Sequence, residues 1–105
     1  MQVIITSDDN SMTVKVTGRI DTNTAPELQD KVRDAYNGQK TLRFDFTDLE
    51  YISSAGLRVL LTFNKWTSKG KDVAIYNPNE AVEEILSVTG FIDIMKIEYE
   101  KEQIR

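Results

Sequence analysis

In Asp45-Phe46-Thr47-Asp48-Leu49-Glu50-Tyr51-Ile52-Ser53-Ser54-Ala55-Gly56-Leu57-Arg58-Val59-Leu60-Leu61, a strand-like end runs through an acidic loop into a Ser-Ser-Ala-Gly turn that opens an apolar helix. The start of a helix leaves several backbone N–H groups without intrahelical partners and carries a partial positive charge. A small hydroxyl placed there can cap the helix, or it can carry a phosphate that the helix end stabilises. Ser54 is therefore read as a cap, as a switch, or as both.

Upstream, Thr41 to Phe46 reads as a strand with Leu42, Phe44 and Phe46 on one face. After a loop from Asp48 to Ser54, the helix is expected over about Ala55 to Ser68, stopped by Gly70. It carries apolar residues on two sides. Leu57, Leu60 and Leu61 cluster on one, and Val59, Phe63 and Trp66 fall nearly opposite. One set must face the sheet. The other is either covered by a neighbouring helix or partly exposed beside Ser54, where Phe63 and Trp66 would form a docking patch.

Two β-type runs open the chain, Gln2 to Thr6 and Met12 to Thr17, joined by a polar turn at Asp8-Asp9-Asn10-Ser11. Gly18-Arg19-Ile20-Asp21 ends the second strand. Thr24 and Glu27 then have capping-box spacing, with Pro26 in the first turn, and Leu28, Val32, Ala35 and Tyr36 form a helical stripe closed by Asn37-Gly38. Asp72 to Tyr76 reads as a short central strand. Asn77-Pro78-Asn79-Glu80 reads as a helix start with Asn77 as cap and Pro78 at the first position. Val82, Ile85, Leu86 and Thr89 give that helix a buried stripe, and Gly90 follows it. Ile92, Ile94, Met95 and Ile97 suggest a last strand, before a charged tail from Glu98 to Arg105 that reads as a frayed helix. The order β-β-α-β-α-β-α-β implies a single α/β domain over residues 1–105. Its mostly parallel mixed sheet has about five strands and an N-terminal antiparallel hairpin, with three to four helices mainly on one face.

Two absent residue types narrow the chemistry. The 105 residues contain no Cys, so no disulfide, thiol nucleophile or thiolate metal site is available. They contain no His, so a Ser-His-Asp triad is excluded and zinc loses its commonest ligand. Asp45 and Asp48 raise a carboxylate metal site, but strand termination and an Asx turn are the plainer roles. A net charge of −4 opposes nucleic-acid binding. Lys65, Lys69 and Lys71 are better read as cations complementing a helix C-terminus. No apolar run is long enough to span a membrane, and the N-terminus lacks a secretory signal, which points to the cytoplasm.

Three segments at these spacings, Gly18-Arg19-Ile20-Asp21, Asp45-Phe46-Thr47-Asp48-Leu49 and Ile52-Ser53-Ser54-Ala55-Gly56-Leu57, resemble the STAS domain of bacterial anti-sigma factor antagonists, almost end to end. The family's phosphorylation motif is Asp-Ser-Ser/Thr-Gly-Leu. Its phosphoacceptor corresponds to Ser54 and its glycine to Gly56, whereas Ser53 stands where the family has Asp and Ala55 where it has a second hydroxyl. Ser53 thereby becomes a second candidate acceptor. The resemblance implies a binding module, not an enzyme, with no cofactor. Unphosphorylated at Ser54, it would bind an anti-sigma factor that is also a serine kinase and release the sigma factor, and a serine phosphatase would reset it. Asp21, Thr24, Asp48, Ser53, Gly56, Arg58 and Phe63 are the residues expected at or beside the phosphosite or the partner surface. Two other readings stand beside this one: a STAS scaffold or ligand-binding domain that is never phosphorylated, and an enzyme with a Ser54 nucleophile, which lacks an imidazole base.

Overall fold

Met12, Val14 and Val16 alternate with Thr13, Lys15 and Thr17, and this period of two builds the longest strand, β2 (Ser11–Ile20). In the computed structural model, which describes residues 1–66 and 72–100, β2 organises the rest. β1 (Gln2–Ser7) lies antiparallel to it, with Val3 opposite Val16 and Ile5 opposite Val14. Asp8 makes the turn between them, its Oδ1 accepting from the amides of Asn10 and Ser11 at 2.8 Å each. On its other edge β2 pairs in parallel with β3 (Thr41–Asp45), which pairs with β5 (Asp72–Tyr76), which pairs with β6 (Lys96–Glu98).

The register puts Met12 beside Leu42 and Val14 beside Phe44, and Leu42 and Phe44 lie beside Val73 and Ile75. This face is fully buried in β2 and β3. Helices α1 (Ala25–Ala35), α2 (Ser54–Trp66) and α3 (Glu80–Val88) close it into a single core with Leu28, Val32, Leu60, Phe63, Val82 and Leu86. Thr13, Lys15, Thr41 and Arg43, on the opposite face, are only half-buried.

Three local expectations are revised. First, the loop between β3 and α2 contains a strand, β4 (Leu49–Ile52), which takes the sheet to six strands. β4 pairs in parallel with the far end of β2, on the same edge that β3 uses. Leu49 pairs with Gly18 and Tyr51 with Arg19, so Glu50 is the extra residue of a bulge. The bulge lets Leu49 and Ile52 both point inward and hides the alternation that would mark a strand.

Second, the cap of α3 is Asn79, whose side chain accepts from the Val82 amide at 2.8 Å. Asn77 cannot serve, because its φ of 59° lies outside the extended region a cap needs. Its side chain instead joins two other segments, accepting from the Glu100 amide at 2.7 Å and donating to Thr47 Oγ1 at 3.2 Å.

Third, the last apolar run divides. Gly90, at φ 82°, ends α3, Phe91–Asp93 form a 3-10 turn, and only Lys96–Glu98 pair as a strand. The expected helix end at Ser68 and Gly70, the cations Lys69 and Lys71, and the tail beyond Glu100 lie outside the described residues.

Candidate functional site

β4 delivers the serine pair to its place. Ile52 lies beside Ile20, and the next amide, Ser53 N–H, donates to the Ile20 carbonyl at 2.8 Å. The chain then turns directly into α2. Ser53 Oγ accepts from the Gly56 amide at 3.3 Å, and the Ser53 carbonyl takes the first helical bond from Leu57 at 3.0 Å. Ser53 is therefore the cap, and Ser54 is not. Ser54 occupies the first helical position and is exposed, and its hydroxyl makes no hydrogen bond among the described residues.

Gly56 fixes how closely this helix start meets the strands. A Cβ there would lie 2.7 Å from both Ile20 Cγ2 and Ile52 Cγ1. Its expected place beside the phosphosite is thus a packing place: Gly56 is buried and cannot touch a partner.

The Ile20–Ser53 bond also brings the loop after β2 alongside. Asp21 Oδ1 accepts from the amides of Asn23 and Thr24, each at 2.9 Å, while Thr24 Oγ1 accepts from the Asp21 amide at 2.8 Å and donates to the Arg19 carbonyl at 3.0 Å. The Thr24–Glu27 capping box does not form, because the Thr24 hydroxyl is committed to this loop. Glu27 pairs instead with Lys31 at 3.5 Å. The bond from the Thr24 amide, more than any other influence, holds the Asp21 carboxyl below the usual carboxylate range, and so keeps it charged.

Arg19 and Tyr51, which the sequence did not single out, pair one step before Ile20 and Ile52. The Arg19 guanidinium sits 4.6 Å over the Tyr51 ring, with Tyr51 exposed. No sequence signal marked the pair, because the bulge that turns Glu50 and Tyr51 outward together also hides the strand. Arg58, one helical turn after Ser54, is exposed and makes no ion pair among the described residues.

Asp48 and Phe63 do not join this group. Asp48 sits at the opposite end of β4 from Ser53, roughly 15 Å away at a strand rise of about 3.3 Å per residue, and pairs with Lys15 at 3.4 Å. Phe63 is fully buried, stacked on Phe44 at a centroid distance of 5.4 Å. Trp66 packs on Phe63 at 5.1 Å and on Tyr36, beyond the end of α1, at 5.8 Å. The second apolar side of α2 is thus covered, not offered as a docking patch. Asp45 is buried and spends its carboxylate on Thr47, whose amide and hydroxyl donate at 3.1 and 2.6 Å, an Asx turn that ends β3. Among the described residues, no group of three acidic side chains is placed to hold a metal, and no helix is long and apolar enough to cross a membrane.

Comparisons with known proteins agree with this arrangement. Residues 4–96 match the family model described as "Mlab, STAS domain". An anti-sigma-B factor antagonist of Bacillus subtilis is 28% identical over 103 residues, covering 97% of this chain and 94% of that protein. An anti-sigma factor antagonist from Mycobacterium paratuberculosis shares the fold with a TM-score of 0.85 at 22% identity, over 96% of this chain and 86% of that one. The Bacillus cell fate determinant SpoIIAA in its phosphorylated form shares it with a TM-score of 0.75 at 14% identity, over 96% and 93% of the two chains. The matched span, the six-stranded mixed sheet and the serine turn after β4 together make this chain a member of the STAS domain family.

Proposed function

We propose that this chain is an anti-sigma factor antagonist, a cytoplasmic protein-binding module switched by phosphorylation of Ser54. One observation carries the reading. At the start of α2 the capping work falls to Ser53, which leaves the Ser54 hydroxyl exposed at a helix N-terminus and without a hydrogen bond among the described residues. Modification there takes nothing from the fold. A phosphate adds about −1.5 to −2 charge at neutral pH, and the helix end favours it locally by ~0.3–1 kcal/mol. A partner shaped around a neutral hydroxyl meets a bulky dianion instead. An interface lost while the fold stays intact is what a reversible switch requires.

The antagonist role is supported by the name of the Bacillus subtilis relative, and a phosphorylated state by the form in which SpoIIAA was solved. In this reading the partner is an anti-sigma factor that is also the serine kinase, and a serine phosphatase restores the binding form. The partner surface in this reading includes exposed Arg58 on the same helix and the turn of Asp21 and Thr24, which the Ile20–Ser53 bond ties to the start of α2. Ser53 is a poor second acceptor, since the residue is half-buried and its hydroxyl already holds the Gly56 amide.

Calorimetric titration of the full chain with its cognate anti-sigma factor tests this. Ser54→Asp is expected to weaken binding by roughly 100-fold or more, the effect of a like charge placed in an interface, and Ser54→Ala to leave it nearly unchanged. Equal affinities for both variants would favour a scaffold that is never switched.

A further inference from the structure

Ser54 and Arg58 stand four residues apart on α2, a spacing that brings side chains together on one face of a helix. Both are exposed, and Arg58 is the only cation in the first two turns. The neighbouring charged groups are otherwise occupied or of opposite sign. Arg19 lies over the Tyr51 ring, and the Asp21 carboxylate is held by the amides of Asn23 and Thr24. From this placement we infer that Arg58 is a partner-binding cation in the unmodified protein and becomes the intramolecular ligand of the phosphate once Ser54 is modified. The inference rests on the switch proposed above and specifies how it acts.

The modification then acts twice on one surface. It places a dianion at the head of α2, and it withdraws the Arg58 guanidinium, which makes no ion pair among the described residues, from a partner's carboxylate. A guanidinium fits this task because its planar fork can hold two phosphate oxygens at once, which an ammonium cannot. The pairing is local to the helix, so it needs no rearrangement of the sheet.

Phosphoserine placed at position 54 during translation, by genetic code expansion, separates this inference from the question of whether a kinase modifies the protein. The second ionisation of that phosphate is followed by 31P NMR in the full chain, in Arg58→Ala and in Arg58→Lys. Pairing stabilises the dianion, so the wild-type chain should titrate lower than Arg58→Ala by about 0.3 unit at low salt. Arg58→Lys should fall between them, and added salt should shrink the difference. Coincident curves for the wild type and Arg58→Ala, with both folded by their amide spectra, would overturn the role of Arg58. Absence of phosphate on Ser54 in protein from cells would overturn the switch instead and leave these curves unaffected.

Discussion

Ser53 closes the first turn of α2 through Gly56 and Leu57, whereas the hydroxyl of Ser54, one residue later, makes no hydrogen bond among the described residues. This division predicts unequal costs of truncation. Ser53→Ala should lower stability by about 1 kcal/mol through loss of the cap. Ser54→Ala should change it by less than about 0.5 kcal/mol, as a surface substitution does. Chemical denaturation of the two variants measures both, and the reverse order would contradict the assignment. Either serine satisfies a Ser-Ser-Ala-Gly pattern, so the residues alone left the cap undecided. What decides it is the bond from the Ser53 amide to Ile20, a contact between segments far apart in the chain. The same holds at Thr24, whose spacing to Glu27 suggests a capping box but whose hydroxyl is taken by the turn at Asp21.

At the scale of elements, the readings that succeeded rested on long periodic stretches. The stripe of Leu28 and Val32 on α1 and the alternation of Met12, Val14 and Val16 on β2 are both buried as expected. β4 was illegible because its bulge at Glu50 breaks the period of two. The two-sided α2 was legible in pattern, and of its two outcomes the structure takes the covered one, with Trp66 against Tyr36. Phe63 therefore belongs to the core and not to a partner surface. Where α2 meets β2 and β4, the fold depends on Gly56 having no side chain. Gly56→Ala would gain up to ~1 kcal/mol in helix propensity but would force Ile20 and Ile52 apart, an overpacking that costs about 1–3 kcal/mol. A net loss of about 1 kcal/mol, seen as a fall of roughly 5 °C in Tm, is expected. An unchanged or higher Tm would show that the two isoleucines give way freely.

Across the whole molecule, a mixed sheet covered by helices mainly on one face holds a short turn rigidly at the end of β4. Fold and family were legible from the order of elements and from the three segments around Asp21, Asp45 and Ser54. The set of residues that actually gather at the site was not, because strand length carries Asp48 away and the bulge brings Tyr51 outward beside Arg19. The resulting surface is a small exposed patch whose Ser54 hydroxyl makes no hydrogen bond among the described residues, and the proposed switch would change its charge without disturbing the core. Phosphosite mapping by mass spectrometry on the full chain, expressed in cells that contain its kinase, tests that claim most directly. The account predicts a single phosphoryl group on Ser54 that disappears in Ser54→Ala and persists in Ser53→Ala. A phosphate found elsewhere, with Ser54→Ala still fully modified, would contradict it.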